Sequence, residues 1–170
     1  SDIPPLMFTA EELESLVVGT RFVRAFAGEK LAAGAQAALL KIEAVLPPEL
    51  RERAARTRIY APIWRDAGRV AFAAMIDRLN SAISDSQVLC LDYADEAGRT
   101  STREVEPLCL AFWGGKWTLG TWCRLREGFR NFRPDRIADC RTTGERFAPR
   151  PGRDLDAYLE AMRGYYEGMD

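Results

Sequence analysis

The sequence predicts an α+β fold with a helical N-terminal part, a small five-stranded antiparallel β-barrel and a C-terminal helix. Two observations predict it. Apolar residues recur with helical spacing through the first half of the chain, and then alternate with polar residues in short runs separated by turns. The 170 residues are enough for one domain or two small ones. We predict a helical region at 1–85, the barrel at 86–147 and the terminal helix at 148–170.

Three long helices are predicted in the N-terminal part. Thr9 and Glu12 have the spacing of a capping box, in which each side chain accepts a hydrogen bond from the other residue's backbone N–H. The first helix therefore begins after Thr9 and ends before Gly28. The second runs from about residue 30 to 46, where two prolines end it, and the third from about residue 65 to 84.

Short extended runs follow the third helix. They are Gln87–Tyr93, Thr100–Pro107, Pro107–Trp113, Trp117–Cys123 and Phe129–Arg133, with one more after a helical turn. Gly114-Gly115 joins two of them as a tight hairpin because glycine adopts a positive φ without steric cost. Pro134 ends the run before it because proline has no N–H to donate to a neighbouring strand. Strands joined by such short turns pair antiparallel, as in a small barrel.

A terminal helix is predicted after the proline-rich linker at residues 149–152. Asp154 is its N-cap. Its apolar positions are Leu155, Leu159, Met162 and Tyr166.

The strand region carries a motif of specific residues. It consists of Trp117-Thr118-Leu119, then Trp122-Cys123, then FRNFRPDRI at 129–137. In this combination the sequence resembles the WYL domain of bacterial transcriptional regulators. It departs at Thr118, where the family has tyrosine, and at Pro134, where leucine is common. The other matching residues are Tyr93, Gly98, Arg103, Val105, Pro107, Arg130, Phe132, Arg133, Asp135, Arg136 and Ile137.

The resemblance implies both a fold and a function. The barrel would be SH3-like or Sm-like and would sense an anionic effector, a nucleotide or single-stranded nucleic acid. Residues 3–19 resemble the segment that follows the winged helix-turn-helix of these regulators, so we expect that domain, which contacts promoter DNA, to precede residue 1. We expect residues 1–85 to link and dimerise a cytoplasmic homodimer without membrane contact. The alternative is a stand-alone Sm-like module that binds RNA or single-stranded DNA.

Positive charge is concentrated in the strand region. The chain as a whole has a net charge of −1, but residues 99–141 contain nine Lys/Arg against five Asp/Glu. This local surplus indicates an anionic partner for the barrel. It argues against indiscriminate nucleic-acid binding by the whole chain.

Arginines of this region are the candidate ligand-binding residues. Arg130, Arg133 and Arg136 form the centre of the predicted site, because guanidinium groups bind phosphate or carboxylate with two parallel hydrogen bonds. Arg130 and Arg133 have opposite parity on one strand, and the bend at Pro134 brings Arg136 back toward one of them. The expected neighbours are Thr118, Trp122, Arg103 and Arg124. The alternative is that the arginines pair with Asp135, Glu104 and Glu106 and stabilise the barrel.

Aromatic residues next to these arginines are candidates for stacking on a base. Trp122 shares a strand face with Thr118 and Gly120, so it is the candidate for an exposed platform. Trp117 lies on the face of Leu119 and is expected in the core.

Several kinds of chemistry are excluded or disfavoured by composition. The chain has no histidine, which removes Ser-His-Asp catalysis and His-containing zinc sites. The four cysteines lack C-x-x-C spacing and lie in apolar stretches, so we expect reduced, buried thiols. We therefore expect no enzyme activity, metal or cofactor. No apolar run approaches the length of a membrane span, and no signal peptide opens the chain.

Overall fold

A computed structural model of the chain describes residues 7–61, 66–113 and 115–167, without the side chains of Trp113 and residues 165–167. The α+β class is confirmed, with a helical N-terminal part, an antiparallel five-stranded sheet and a C-terminal helix. The chain divides into two compact units, Ser1–Ala74 and Met75–Asp170. The predicted start of the third long helix at residue 65 lies outside the described residues.

Three helices lie wholly within the first unit. They are α1 Ala10–Phe26, α2 Glu29–Val45 and α3 Pro48–Ala55. The capping box before α1 is confirmed: the Thr9 amide donates to Glu12 Oε1 at 2.8 Å and the Glu12 amide donates to Thr9 Oγ1 at 3.2 Å. Leu13 and Val17 of α1 form a small core with Ala54 of α3, against which residues of α2 pack. A fourth helix, α4, spans Ala67–Ser84 and contains the boundary between the units.

The second unit is organised on the five-stranded sheet. Its strands are β1 Gln87–Ala94, β2 Thr100–Trp113, β3 Lys116–Cys123, β4 Gly128–Phe132 and β5 Ile137–Arg146, in the spatial order β4-β3-β2-β1-β5. All neighbours pair antiparallel. A 3₁₀ turn, Pro134–Arg136, joins β4 to β5 as predicted. The sheet is open, because no pairing joins β4 to β5 in the described part of the chain.

Strand β2 is one long strand where the sequence predicted two runs meeting at Pro107. Its first half pairs with β1 up to Val105 opposite Leu89, and its second half pairs with β3 from Val105 onward. A register shift lies between Pro107 and Cys109. The pairing with β1 ends two residues before Pro107, so the proline lies beyond it and its missing N–H breaks no bond to β1. Gly115 in the β2–β3 turn has φ +83°, as a tight hairpin needs, and Gly114 lies outside the described residues.

The sheet curls around a core to which α4 and all five strands contribute. Its buried members are Met75, Leu79, Ala82, Leu89, Leu91, Val105, Leu119, Cys123, Phe132, Ile137 and Cys140. Tyr93 of β1 and Phe132 of β4 meet edge to face with ring centroids 5.0 Å apart, although their strands are not neighbours in the sheet. The open sheet therefore curves until strands from its two halves touch across the core.

Helix α5, Leu155–Glu167, packs on the outer face of β3 and β4, and its buried contact there is Tyr158. Tyr158 is completely buried, and its hydroxyl donates to Asn131 Oδ1 at 2.7 Å. The ring lies against Phe129, with centroids 5.7 Å apart, and directly over Gly120. A side chain at Gly120 would occupy the space of the tyrosine ring, so α5 can lie close to the sheet only because position 120 has none.

Among the described side chains of this helix, the buried one is Tyr158, which was not among the apolar positions named from the sequence. Asp154 caps α5 as predicted, since its carboxylate accepts from the Ala157 amide at 3.0 Å. Leu155 and Leu159, however, are exposed. Tyr158 is buried instead, because Asn131 gives its hydroxyl a partner that the sequence spacing does not show. The side chain of Tyr166 lies outside the described residues.

Candidate functional site

The predicted site residues fall into three groups in the structure. Arg133 and Arg136 lie at the 3₁₀ turn, Trp122 and Arg124 line a cleft at the far end of β3, and Arg103, Thr118 and Arg130 lie on β2, β3 and β4. Most of these candidate residues are close together in sequence. The antiparallel pairing of β3 with β4 nevertheless places some of them at one end of the two strands and some at the other.

Arg133 is fixed at the 3₁₀ turn by a bidentate ion pair. Its Nε donates to Asp135 Oδ1 at 3.0 Å and its Nη2 donates to Asp135 Oδ2 at 2.6 Å. The pair lowers the pKa of Asp135 and raises the pKa of Arg133, chiefly through these hydrogen bonds. The Arg133 amide also donates to the Tyr93 hydroxyl at 3.2 Å. The pairing matches the alternative expectation, yet 31% of the Arg133 side chain remains exposed.

Arg136 lies on the same surface. Its Nη1 contacts Glu96 Oε1 at 3.2 Å, and 25% of its side chain is exposed. Glu96 also raises the pKa of Arg133, and Lys116 lowers the pKa of Asp135, so pairwise electrostatic contacts connect these charged residues to one another. We call these residues, Glu96, Lys116, Arg133, Asp135 and Arg136, the turn surface. Three of its charges are positive and two are negative.

The other three candidate residues lie on strands and not in the turn surface: they are Arg130 on β4, Thr118 on β3 and Arg103 on β2. Arg130 is exposed on β4 opposite the buried Thr121, whose hydroxyl donates to the Arg130 carbonyl at 2.9 Å. Thr118 precedes Leu119, which pairs with Phe132, so the register places Thr118 beside Arg133. Arg103 is half-buried on β2 opposite Leu91. Within the described residues, no hydrogen bond or ion pair joins these three side chains to the turn surface.

Arg124 forms a network with two glutamates at the other end of β3. Its Nη1 and Nη2 donate to the two Glu145 carboxylate oxygens at 2.7 and 2.9 Å, and its Nε donates to Glu106 Oε2 at 3.1 Å. Hydrogen bonds from Arg124 are the main cause of the lowered pKa of Glu145, and they raise the pKa of Arg124. The pairing with Glu106 is the one expected of a structural arginine.

A cleft of about 530 Å³ opens next to this network. The residues of its wall that matter here are Trp122, Arg124, Arg146, Phe147, Arg150 and Arg153. Trp122 is half-buried, with the Phe129 ring edge-on at 5.2 Å between centroids and the Arg153 guanidinium 4.9 Å from its ring centroid. The sequence prediction missed Arg146, Arg150 and Arg153 because they lie at the end of β5 and in the segment that leads to α5, outside the motif. The signal was there, since residues 146–153 contain three arginines within eight positions.

The cysteines are free thiols. Burial raises the pKa of Cys109 and of Cys140. Arg141 contacts Cys90 Sγ at 3.3 Å and pairs with Asp92 and Asp139 on the surface. In the described ranges, no three Cys, Asp or Glu residues are arranged to bind a metal ion. None of the helices in those ranges combines the length and the hydrophobicity that a membrane span requires.

Residues 74–142 match the WYL domain family. The match begins in α4 and continues through the first part of β5, so it covers most of the sheet and both arginines of the turn surface. Fold and motif together define this chain as a WYL-domain protein.

The chain is also similar to two curated proteins. Protein PafC of Mycobacterium tuberculosis is 32% identical over 154 residues, which are 85% of this chain and 42% of PafC. The uncharacterized HTH-type transcriptional regulator YobV of Bacillus subtilis is 32% identical over 63 residues, 37% of this chain and 20% of YobV. The chain therefore contains a WYL domain, and the proteins that it resembles include one named as a transcriptional regulator. It spans less than half the length of these curated relatives.

A solved structure, proteasome accessory factor B/C (PafBC) of Arthrobacter aurescens, aligns over 85% of this chain and 22% of its own. The sequence identity is 24% and the TM-score is 0.42.

Proposed function

We propose that this chain is the effector-sensing and dimerising part of a WYL-type transcriptional regulator that acts in the cytoplasm and is not an enzyme. The WYL domain and the relationship to a protein named as a transcriptional regulator support it. A ligand bound on the sheet would change promoter binding by a DNA-binding domain outside this chain. Such coupling needs two conformations for which ligand and DNA have different affinities.

The effector site we propose is the turn surface, with Arg130 and Thr118 as neighbours. One observation carries it: Arg133 is held rigidly by Asp135 while a third of its side chain remains exposed. Asp135 uses the Nε proton and one Nη2 proton of Arg133, which leaves three N–H groups for a ligand. A guanidinium already fixed loses little entropy when it binds an anion. The ligand class that fits is a nucleotide or single-stranded nucleic acid.

The test is a binding screen with a labelled single-stranded oligonucleotide and a cyclic nucleotide on Arg133→Ala and Arg136→Ala. Each charged hydrogen bond contributes about 1.5–3 kcal/mol, so we expect at least about tenfold weaker binding. Arg133→Lys should recover only part of the affinity, because an ammonium cannot form the bidentate pair.

The matched control is Arg126→Ala. It removes the same charge from an exposed residue at the opposite end of β4, in the β3–β4 turn, and should leave affinity unchanged. Thermal unfolding of each variant checks that it is folded. Full affinity in folded Arg133→Ala and Arg136→Ala proteins would remove the turn surface as the effector site.

We further propose that helix α2 joins two copies of the chain. None of its seventeen residues is buried, although most are apolar. Leu31, Ala38 and Val45 recur every seven residues, so they lie on one helix face, and the first and last are 53% and 82% exposed. A stripe with this spacing can pack against itself across a two-fold axis. A second copy is therefore the proposed partner of this face.

A further inference from the structure

We propose that the cleft beside Trp122 is a second ligand site, which binds a phosphate ester carrying a planar ring, such as a nucleoside monophosphate. The cleft lies between the end of β3, the end of β5 and the segment that leads to α5. Its volume of about 530 Å³ is within the range of about 300–1,000 Å³ that is typical of small-molecule sites.

The phosphate would be bound by arginines that have no acidic partner of their own. Arg146, Arg150 and Arg153 line the cleft and are exposed. In the part of the chain that the structure describes, no carboxylate lies within ion-pair distance of these three guanidinium groups. Their donors are therefore available to an anion, and three forks around one cleft suit the three oxygens of a phosphate monoester.

The planar ring would lie next to Trp122. This tryptophan has its indole partly exposed in the cleft, and Phe129 supports it from the edge. The Arg153 guanidinium is already 4.9 Å from the indole centroid. A cation over an aromatic face uses the ring electrons and not the N–H groups, so Arg153 can hold this position and still donate to a phosphate. Phe147 adds a second apolar wall.

The acidic residues of the cleft do not cancel this charge. Glu106 and Glu145 are both bound by Arg124, and Glu127 is the remaining carboxylate of the wall. Arg124 with its two glutamates has a net charge of −1, and Glu127 adds one more negative charge. Arg146, Arg150 and Arg153 outweigh these two charges, and Arg150 also lowers the pKa of Glu145 by its field.

The cleft is separate from the turn surface. Trp122 pairs with Phe129 at one end of the β3–β4 ladder, whereas Leu119 pairs with Phe132, next to Arg133, at the other. Trp122 lies three positions along the strand from Leu119, about 10 Å at 3.3 Å per residue. The cleft can bind its ligand whether or not the turn surface binds one, so the two proposals fail independently.

Isothermal titration calorimetry of the full chain with adenosine 5′-monophosphate tests the cleft. Adenosine supplies only the planar ring and inorganic phosphate only the anion. Titrated separately, each should bind more weakly than the nucleotide. The double variant Arg146→Gln/Arg150→Gln removes two guanidinium charges while leaving polar side chains, and should weaken nucleotide binding at least about tenfold. Trp122→Leu should weaken the nucleotide but not inorganic phosphate. Arg153→Gln lies outside the sheet and tests the same contact if Trp122→Leu unfolds.

Arg99→Gln is the matched control, because Arg99 is also an exposed arginine, lies in the β1–β2 turn and does not line the cleft. It should keep full affinity. Absence of binding at about 1 mM nucleotide, or equal affinity in wild type and the double variant, would overturn the proposal. Nucleotide binding that is lost in Arg133→Ala and kept in the double variant would also overturn it, and would favour the turn surface.

Discussion

Gly120→Ala tests how α5 is held on the sheet. A Cβ atom at this position would lie 2.6 Å from the Tyr158 hydroxyl oxygen and closer still to its Cζ, well inside an ordinary contact of 3.4–4 Å. The ring cannot swing away without cost, because Tyr158 is fully buried and its hydroxyl donates to Asn131. The extra methyl group must therefore displace the helix.

The expected size follows from the two ways in which the structure can respond. If α5 shifts by about 1 Å and remains docked, overpacking costs about 1–3 kcal/mol. If Tyr158 leaves the sheet, burial of about 150–250 Å² is lost, which at about 25 cal/mol per Å² is about 4–6 kcal/mol. The protein adopts the response that costs less free energy, so we expect the free energy of unfolding to fall by about 2 kcal/mol. For a chain of this length that lowers the melting temperature by about 4–8 °C.

A double-mutant cycle isolates the contact. In a Tyr158→Ala background the new methyl group at position 120 meets no ring. There the same Gly120→Ala change should stabilise the protein by about 0.5 kcal/mol, because alanine is preferred over glycine within a strand. The sign of the effect therefore reverses between the two backgrounds, a coupling of about 2–3 kcal/mol. Thermal unfolding by circular dichroism gives the energies, and limited proteolysis at residues 148–153 reports release of α5.

Equal destabilisation in both backgrounds would refute the reasoning, since it would show that Gly120 is required by the backbone and not by Tyr158. So would a Gly120→Ala protein as stable as wild type.

Two further predictions concern assembly and pH. Wild-type protein should sediment as a dimer at tens of micromolar, and the Leu31→Glu variant as a monomer. Leu40→Glu, the same change on the opposite face of α2, should remain dimeric. A monomeric wild type would contradict the proposed interface. Arginine hydrogen bonds lower the pKa of Asp135 and Glu145 in the folded protein below the usual 3.8 and 4.5. Their stabilisation is therefore complete above about pH 5 and is lost as pH falls through the folded values. Urea unfolding between pH 7 and 3 should show this decrease in the free energy of unfolding, and Asp135→Asn should make the decrease smaller. An unchanged pH profile in that variant would contradict the contribution assigned to Asp135.

The sequence by itself determined the elements that depend on local chemistry. Thr9 and Glu12 specify the start of α1 because a capping box involves residues only three positions apart. Pro134 ends β4 and starts the 3₁₀ turn because its ring fixes φ and removes a donor. Alternation of apolar and polar residues predicted the strands, and the motif at 117–137 indicated the WYL domain. Each of these signals lies within a few residues of the feature it predicts.

Tertiary structure decided what depends on register and on contacts between distant residues. Alternation breaks at the bulge near Pro107, so local pattern divides β2 in two, and only pairing with β1 and β3 shows that it is continuous. The seven candidate residues formed one group along the chain. Pairing of β3 with β4 places Thr118 beside Arg133 and moves Trp122 and Arg124 to the other end.

The cleft and the docking of α5 were beyond the reach of sequence patterns for the same reason. Nothing near Tyr158 in sequence indicates that a glycine 38 positions earlier leaves room for its ring, or that Asn131 accepts its proton. Arg146, Arg150 and Arg153 became candidates only when the fold placed them around Trp122. Sequence fixes which groups are present and how each short segment folds, whereas a site requires distances between segments, and those are set by the packing of the whole sheet.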